Sequence, residues 1–185
     1  MGNVLFVCIG NICRSPMAEG LFARALPGRM VCSAGLHALV GEAADACAID
    51  LMRQRGIDIG GHRAQQLASW MVREADLIVT MDGEQKRYIE STWVAAQGKV
   101  RRLREAAPAR PASGSDIAGS TGGTRDTGID IPDPYRQGRP AFVHACGLIE
   151  DGIDELVGWI AAREAAAIAV PASSRESPAR HALRP

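Results

Sequence analysis

Residues 3–19, Asn3-Val4-Leu5-Phe6-Val7-Cys8-Ile9-Gly10-Asn11-Ile12-Cys13-Arg14-Ser15-Pro16-Met17-Ala18-Glu19, decide how the rest of the chain is read. Val4 to Val7 is a short unbroken apolar run, the pattern of a central parallel strand covered on both faces. Gly10 and Asn11 break it. Ser15-Pro16 then supplies a helix cap and a first-position proline, and Met17, Leu21 and Ala25 recur on one helical face until Pro27-Gly28 ends it. Residues 4–26 therefore read strand, loop, helix.

The same alternation continues outward. Met30 to Ala34 is strand-like, Glu42 to Arg55 reads as a helix closed by Gly56, and Gln65 to Glu74 is helical. Leu77 to Met81 is a second convincing strand, Glu84 to Gln97 a helix ending at Gly98, and Lys99 to Leu103 a fourth strand. Pro140 to Arg163 carries a helical stripe of Phe142, Leu148, Ile149, Ile153, Leu156, Val157 and Ile160. Strands alternating with helices predict an α/β fold with a parallel sheet and right-handed crossovers. At 185 residues, 46% hydrophobic and 23% charged, the chain fits one globular domain.

Two stretches fall outside that core. Residues 104–128 hold 18 Ala, Pro, Gly, Ser or Thr in 25 and one large aliphatic, Ile117, too little apolar surface to offset ordering entropy. They are expected to form a flexible insertion, and residues 164–185, Ala-rich and then Ser/Pro/Arg-rich, a disordered tail.

Charge and cysteine usage exclude several classes. Lys+Arg 21 against Asp+Glu 21 gives no net charge, which argues against nucleic-acid binding through a general basic footprint. The apolar run from Val4 to Gly10 is far too short to span a membrane and has no basic lead-in, so neither membrane insertion nor export is expected. Five cysteines, at 8, 13, 32, 47 and 146, form no C-x-x-C pair and have no histidine at ligand spacing. Free thiols in the cytoplasm, with no metal and no cofactor, are the expectation.

The chemistry begins where the first strand ends. Cys8 stands six positions before Arg14, but a bare C-x5-R is weak, since Arg occupies 19 of 185 positions and Cys47 to Arg53 fits it too. Context separates the two. Cys47 lies inside a helical run without glycine, whereas Cys8 sits at the carboxyl edge of a buried strand, where open α/β sheets bind ligands. Backbone N–H groups of residues 9–14 can curl around a phosphate, and the helix starting near Ser15 aims its positive end at the same point. Such a field favours a nucleophilic thiolate. Arg14 offers a planar fork matched to two phosphate oxygens. Further along, Asp133 between Pro132 and Pro134 is a carboxyl on a stiff loop, suited to protonate a leaving oxygen.

These two segments, Val4 to Glu19 and Ile131-Pro132-Asp133-Pro134-Tyr135-Arg136, closely resemble the signatures of the low-molecular-weight protein-tyrosine phosphatases, over roughly residues 3–103 and 129–162. The resemblance implies a three-layer α/β sandwich with a four-stranded parallel sheet in the order 2-1-3-4 and helices on both faces, occupying residues 1–163. It implies a phosphocysteine on Cys8, with Arg14 and a phosphate-binding loop of Ile9, Gly10, Asn11, Ile12, Cys13 and Ser15 holding the phosphoryl group and Asp133 as general acid. In the family, the serine at position 15 donates to the thiolate, and Asn11 fixes the loop conformation. Tyr135 would wall the substrate ring. His62 matches a loop-bracing histidine and would pair with Asp82, both standing behind the site. Cys13 could form a reversible disulfide with Cys8 that shields the nucleophile.

Ile12 favours phosphotyrosine, because the related protein-arginine phosphatases carry threonine there. The implied partner is a phosphotyrosine protein, in the bacterial setting a tyrosine kinase of exopolysaccharide export. Arginine phosphatase and a non-catalytic phosphoprotein-binding module are the alternatives. Arsenate reductase is disfavoured, because residues 80–95 lack its relay cysteine pair.

Overall fold

The computed structural model describes residues 2–105 and 129–169. Four strands, β1 (Asn3–Cys8), β2 (Met30–Gly35), β3 (Leu77–Thr80) and β4 (Val100–Arg102), form one parallel sheet in the order β2-β1-β3-β4. Among the described residues five α-helices accompany them: α1 (Arg14–Ala25), α2 (Ala46–Gln54), α3 (Ser69–Glu74), α4 (Gly83–Thr92) and α5 (Arg139–Ala169). The expected sheet order and layering are what is found.

The strand period of two explains the layers. Val4, Phe6 and Cys8 point to one side of β1, into a core that includes Met17 and Phe22 of α1, Met52 of α2 and Ile149 and Leu156 of α5. Leu5 and Val7 point to the other, against Met71 and Val72 of α3 and Ile89 of α4. Because β1 is central, every one of its residues from Val4 to Cys8 is buried. That accounts for the unbroken apolar run. At the upper end, Cys8 pairs with Gly35 and Val7 with Thr80, so the loops that follow β1, β2 and β3 meet at one edge.

Several expected boundaries shift, each for a physical reason. The helix expected from Glu42 starts only at Ala46, where Asp45 caps it by accepting the Cys47 N–H at 2.8 Å. The helix expected from Gln65 starts at Ser69. Gln65 and Leu67 instead pair with Gly35 through two backbone hydrogen bonds of 2.9 and 2.8 Å. The helix expected through Gln97 ends at Thr92 and gives way to a 3-10 turn at Val94–Ala96. Ser15 is not the cap of α1; the helix begins at Arg14, and Ser15 turns inward to Cys8. At the other end, α5 continues to Ala169, six residues beyond the expected Arg163, favoured by an alanine-rich sequence and by a bidentate pair from Arg29 to Glu164. Residues 106–128 of the expected insertion and 170–185 of the expected tail lie outside the described residues.

Candidate active site

The loop between β1 and α1 is held from behind by its own carbonyls. Those of Cys8, Ile9 and Gly10 accept the N–H groups of Leu36, His37 and Leu39 at 2.9, 3.0 and 3.0 Å, and that of Ile12 accepts the Asp45 N–H at 2.8 Å. The Asn11 carbonyl meets His62 Nε2 at 2.7 Å. In a trans peptide the N–H that follows a carbonyl points the opposite way. Tying these carbonyls outward therefore turns the N–H groups of residues 9–13 inward, the arrangement of an anion nest.

Asn11 is the pivot of that curl. Its φ of 55° lies in the left-handed region, where asparagine is among the few tolerated side chains. The side chain secures the conformation: Oδ1 accepts the Gln65 N–H at 2.8 Å, and Nδ2 donates to Ser15 Oγ and Ser33 Oγ, each at 2.9 Å. Ser15 Oγ, already accepting from Asn11, is 2.9 Å from Cys8 Sγ, so its one proton is available to the sulfur. The Asn11 N–H also points at Sγ, at 3.3 Å. By the same logic Ser33 accepts from Asn11 and donates to Glu19 Oε2 at 2.6 Å.

Arg14 is 3% exposed, yet it is not structural filler. Nη1 donates to the Ile131 carbonyl at 3.0 Å and lies 3.5 Å from Asp82 Oδ2, while Nη2 donates to Asp133 Oδ2 at 2.7 Å. Its buried Nε has no hydrogen-bond partner among the described residues. Asp82 in turn caps α4, accepting from the N–H of Gln85 at 2.8 Å and from its side-chain amide. Burial raises the Asp82 carboxyl above its ordinary range, against the lowering pull of the Gln85 N–H and of Arg14.

The segment carrying Asp133 is anchored from both sides. Asp130 accepts from the Gly83 N–H at 3.0 Å and pairs with Arg102 at 3.3 Å, and the Ile131 N–H donates to the Met81 carbonyl at 2.8 Å. Asp133 Oδ1 accepts the Tyr135 N–H at 3.2 Å, and Gln137 donates to the Asp133 carbonyl at 2.6 Å. The carboxylate itself is 44% exposed, open to a bound molecule.

Cys8, Ile9, Gly10, Ile12, Cys13, Arg14, Asp133 and Tyr135 thus line one cavity of about 140 Å³. A wider cleft of about 610 Å³ adjoins it, sharing Ile9, Arg14, His37 and Asp133 and including Asp82. His62 is not paired with Asp82 as expected. It braces the Asn11 carbonyl, while Asp82 is engaged by Arg14 and Gln85. Burial, reinforced by Asp45, the Cys8 sulfur and Asp133, drives the Cys13 thiol strongly upward, keeping it protonated, with Arg14 opposing. The rival Cys47 is half-buried in the first turn of α2 and does not line the cavity.

Sequence reading missed His37 and Leu39 on the cavity wall, and Ser33, Gln65 and Glu19 behind the loop. His37 and Leu39 follow β2 directly at the carboxyl edge of the sheet, a position that marks ligand-binding loops in open α/β folds. Ser33 and Gln65 carry no comparable signal, because they act on a loop 22 and 54 residues away.

Comparison with known proteins bears on the chemistry this edge performs. Residues 3–166 match the family described as low molecular weight phosphotyrosine protein phosphatase. The chain is 45% identical over 160 residues to the probable low molecular weight protein-tyrosine-phosphatase EpsP of Ralstonia solanacearum, covering 86% of this chain and 97% of that one. Among solved structures it is similar to Vibrio vulnificus Wzb in complex with benzylphosphonate, with a TM-score of 0.70, 33% identity and coverage of 85% and 98%. It is also similar to the YwlE arginine phosphatase from Geobacillus stearothermophilus, with a TM-score of 0.72, 29% identity and coverage of 90% and 97%.

Proposed function

Since this chain belongs to the low molecular weight phosphotyrosine protein phosphatase family and is a protein-tyrosine phosphatase, we propose that Cys8 is its nucleophile, Arg14 and the loop Ile9–Cys13 its phosphate site, and Asp133 its general acid. The observation that carries this assignment is Arg14 Nε, a buried cationic donor with no acceptor among the described residues, beside a loop whose carbonyls are tied outward. A buried donor left unpaired is costly, and a phosphoryl oxygen satisfies it.

The Cys8 thiolate attacks phosphorus in line with the phenolic oxygen, stabilised by the Ser15 hydroxyl and the Asn11 N–H. The S–P bond forms as the P–O bond to tyrosine breaks, and Asp133 gives its proton to the departing phenolate. The negative charge on the equatorial oxygens is held by preorganised donors that need not move. Asp133, now a carboxylate, takes a proton from water, which attacks phosphorus and breaks the S–P bond. Inorganic phosphate leaves and the thiolate is restored.

Ile12, 7% exposed on the cavity wall, supports the phosphotyrosine preference over phosphoarginine. Tyr135, 38% exposed on the same wall, is suited to face the substrate ring. The partner we propose is a bacterial tyrosine kinase of exopolysaccharide export, met in the cytoplasm, a compartment to which five free thiols are suited. No helix among the described residues is long and apolar enough to cross a membrane.

The test is hydrolysis of phosphotyrosine and phosphoarginine peptides by wild type and Cys8→Ser under reducing agent and a metal chelator. Phosphotyrosine turnover that vanishes in Cys8→Ser supports the assignment. Cleavage of phosphoarginine alone moves it to the arginine phosphatases, and cleavage of neither to a binding module.

A further inference from the structure

Immediately after the acid loop, Arg136 stands where a side chain is unfavourable. Pro134 to Gln137 is a β-turn closed by the Gln137 N–H to the Pro134 carbonyl at 3.0 Å. Arg136 is its third residue, with a φ of 59°. A turn with positive φ at that position ordinarily takes glycine, because a Cβ crowds the backbone in the left-handed region. Here the chain retains a long, charged side chain at a conformational cost.

The side chain is also placed with purpose. Its guanidinium carbon lies 5.0 Å from the centre of the Tyr135 ring, within the range of a cation–π contact. Tyr135 lines the proposed catalytic cavity, and Arg136, although it does not itself line that cavity, is held against the ring of a residue that does. Other arginines have carboxylate partners: Arg14 contacts Asp133, Arg102 contacts Asp130, and Arg139 contacts Asp50 at 2.6 Å. Among the described residues Arg136 has no carboxylate partner within 4.0 Å. It is an exposed, oriented charge whose natural complement is an anion on the incoming molecule.

We propose that Arg136 is a specificity-determining residue that selects phosphotyrosine sites with an anionic group, a carboxylate or a second phosphoryl, on the adjacent residue. The inference rests on the assignment of the Cys8 cavity as the phosphotyrosine site. An arginine suits the task better than a lysine, because its planar fork can stack on Tyr135 and still present N–H donors outward to two oxygens. The charge is solvent-exposed, so its effect is moderate and falls with salt.

The experiment measures kcat and KM on three phosphotyrosine peptides that differ only in the adjacent residues: glutamine, glutamate or a second phosphotyrosine. Wild type at low salt is expected to favour glutamate over glutamine by about threefold, mainly through KM, and the doubly phosphorylated peptide by up to about tenfold. A gain with either anion supports the proposal, and the two arms tell which source is preferred. Arg136→Gly, which also relieves the left-handed strain, brings both ratios to about one. Arg136→Lys keeps part of the preference, and Arg139→Gln keeps all of it. Equal rates on all three peptides in wild type, or a preference that survives in Arg136→Gly, overturns the proposal while leaving the phosphotyrosine site intact. Failure to cleave even the glutamine peptide removes the site assignment, and this inference falls with it.

Discussion

Asp133 Oδ2 lies 2.7 Å from Arg14 Nη2, so the carboxyl proposed to protonate the leaving group rests on the guanidinium proposed to hold the phosphoryl group. The contact joins residues 119 positions apart and places acid and anion site within one hydrogen bond of each other. It also sets them in competition. As a carboxylate, Asp133 offers Arg14 the same kind of oxygen that a phosphate does.

Removal of this carboxylate is predicted to act in opposite directions on binding and on turnover. Asp133→Ala frees Nη2 and deletes a negative charge, so inorganic phosphate inhibits severalfold more tightly. Turnover of aryl phosphates with poor leaving groups falls by roughly 10²- to 10⁴-fold, the scale of general acid catalysis, while activated leaving groups lose far less. Steady-state rates across a series of substituted phenyl phosphates check this. An equal loss at every leaving group removes Asp133 from the acid role.

The two C-x5-R matches make contrasting predictions. Cys8→Ser abolishes turnover but still binds phosphate or vanadate, because the N–H groups and Arg14 remain. Cys47→Ser leaves kcat and KM at wild-type values, since Cys47 sits on α2 away from the cavity. Residual turnover in the first variant, or a lost one in the second, means that the wrong cysteine has been assigned.

That the loop after β1 and the segment around Asp133 belong to one site was the more legible part, because each carries its side chains within a contiguous stretch, and the structure brings both to one cavity. A buried strand, a glycine turn and a helix start leave little freedom for Cys8 and Arg14, and two prolines confine Asp133. What was not legible is pairing at a distance. His62, expected to brace the loop and to pair with Asp82, contacts the Asn11 carbonyl of the loop and not Asp82, a choice set by how residues 36–66 wrap behind the loop. Those residues resist local reading for the same reason. Gln65 and Leu67 have helix-compatible side chains, yet their backbone groups are drawn into pairing with Gly35, and tertiary hydrogen bonds override weak propensity.

The tie between α2 and α5 gives the fold a definite pH signature. Arg55 Nε and Nη2 donate to the two carboxylate oxygens of Glu150 at 2.6 and 2.7 Å. These hydrogen bonds hold the Glu150 carboxyl below its ordinary 4.5, with burial opposing more weakly. A carboxyl whose folded pKa is depressed stabilises the fold fully above its unfolded value and loses that contribution as pH falls through the folded value. Glu150→Gln is therefore expected to cost about 1 kcal/mol at pH 7, with the difference from wild type shrinking as pH falls below 4.5. Thermal melting of both proteins from pH 7 to pH 3 checks it. A difference independent of pH would assign the loss to packing.

Gly35 is predicted to link stability to the proposed site. It pairs with Cys8 across the top of the sheet, and a Cβ there would stand 2.5 Å from the Ile9 carbonyl oxygen and 3.0 Å from Ala38. The obstacle is the backbone of the loop proposed to bind phosphate, which cannot step aside as a side-chain end could. Gly35→Ala must therefore displace the Ile9 carbonyl, which also accepts the His37 N–H, and with it the peptide whose N–H belongs to the proposed anion site. Overpacking of this kind costs about 1–3 kcal/mol. The expected outcome is a lower melting temperature together with weaker phosphate inhibition and reduced kcat. A variant that loses stability but keeps wild-type phosphate affinity and kcat would show that the loop absorbs the displacement without disturbing the ring of N–H groups.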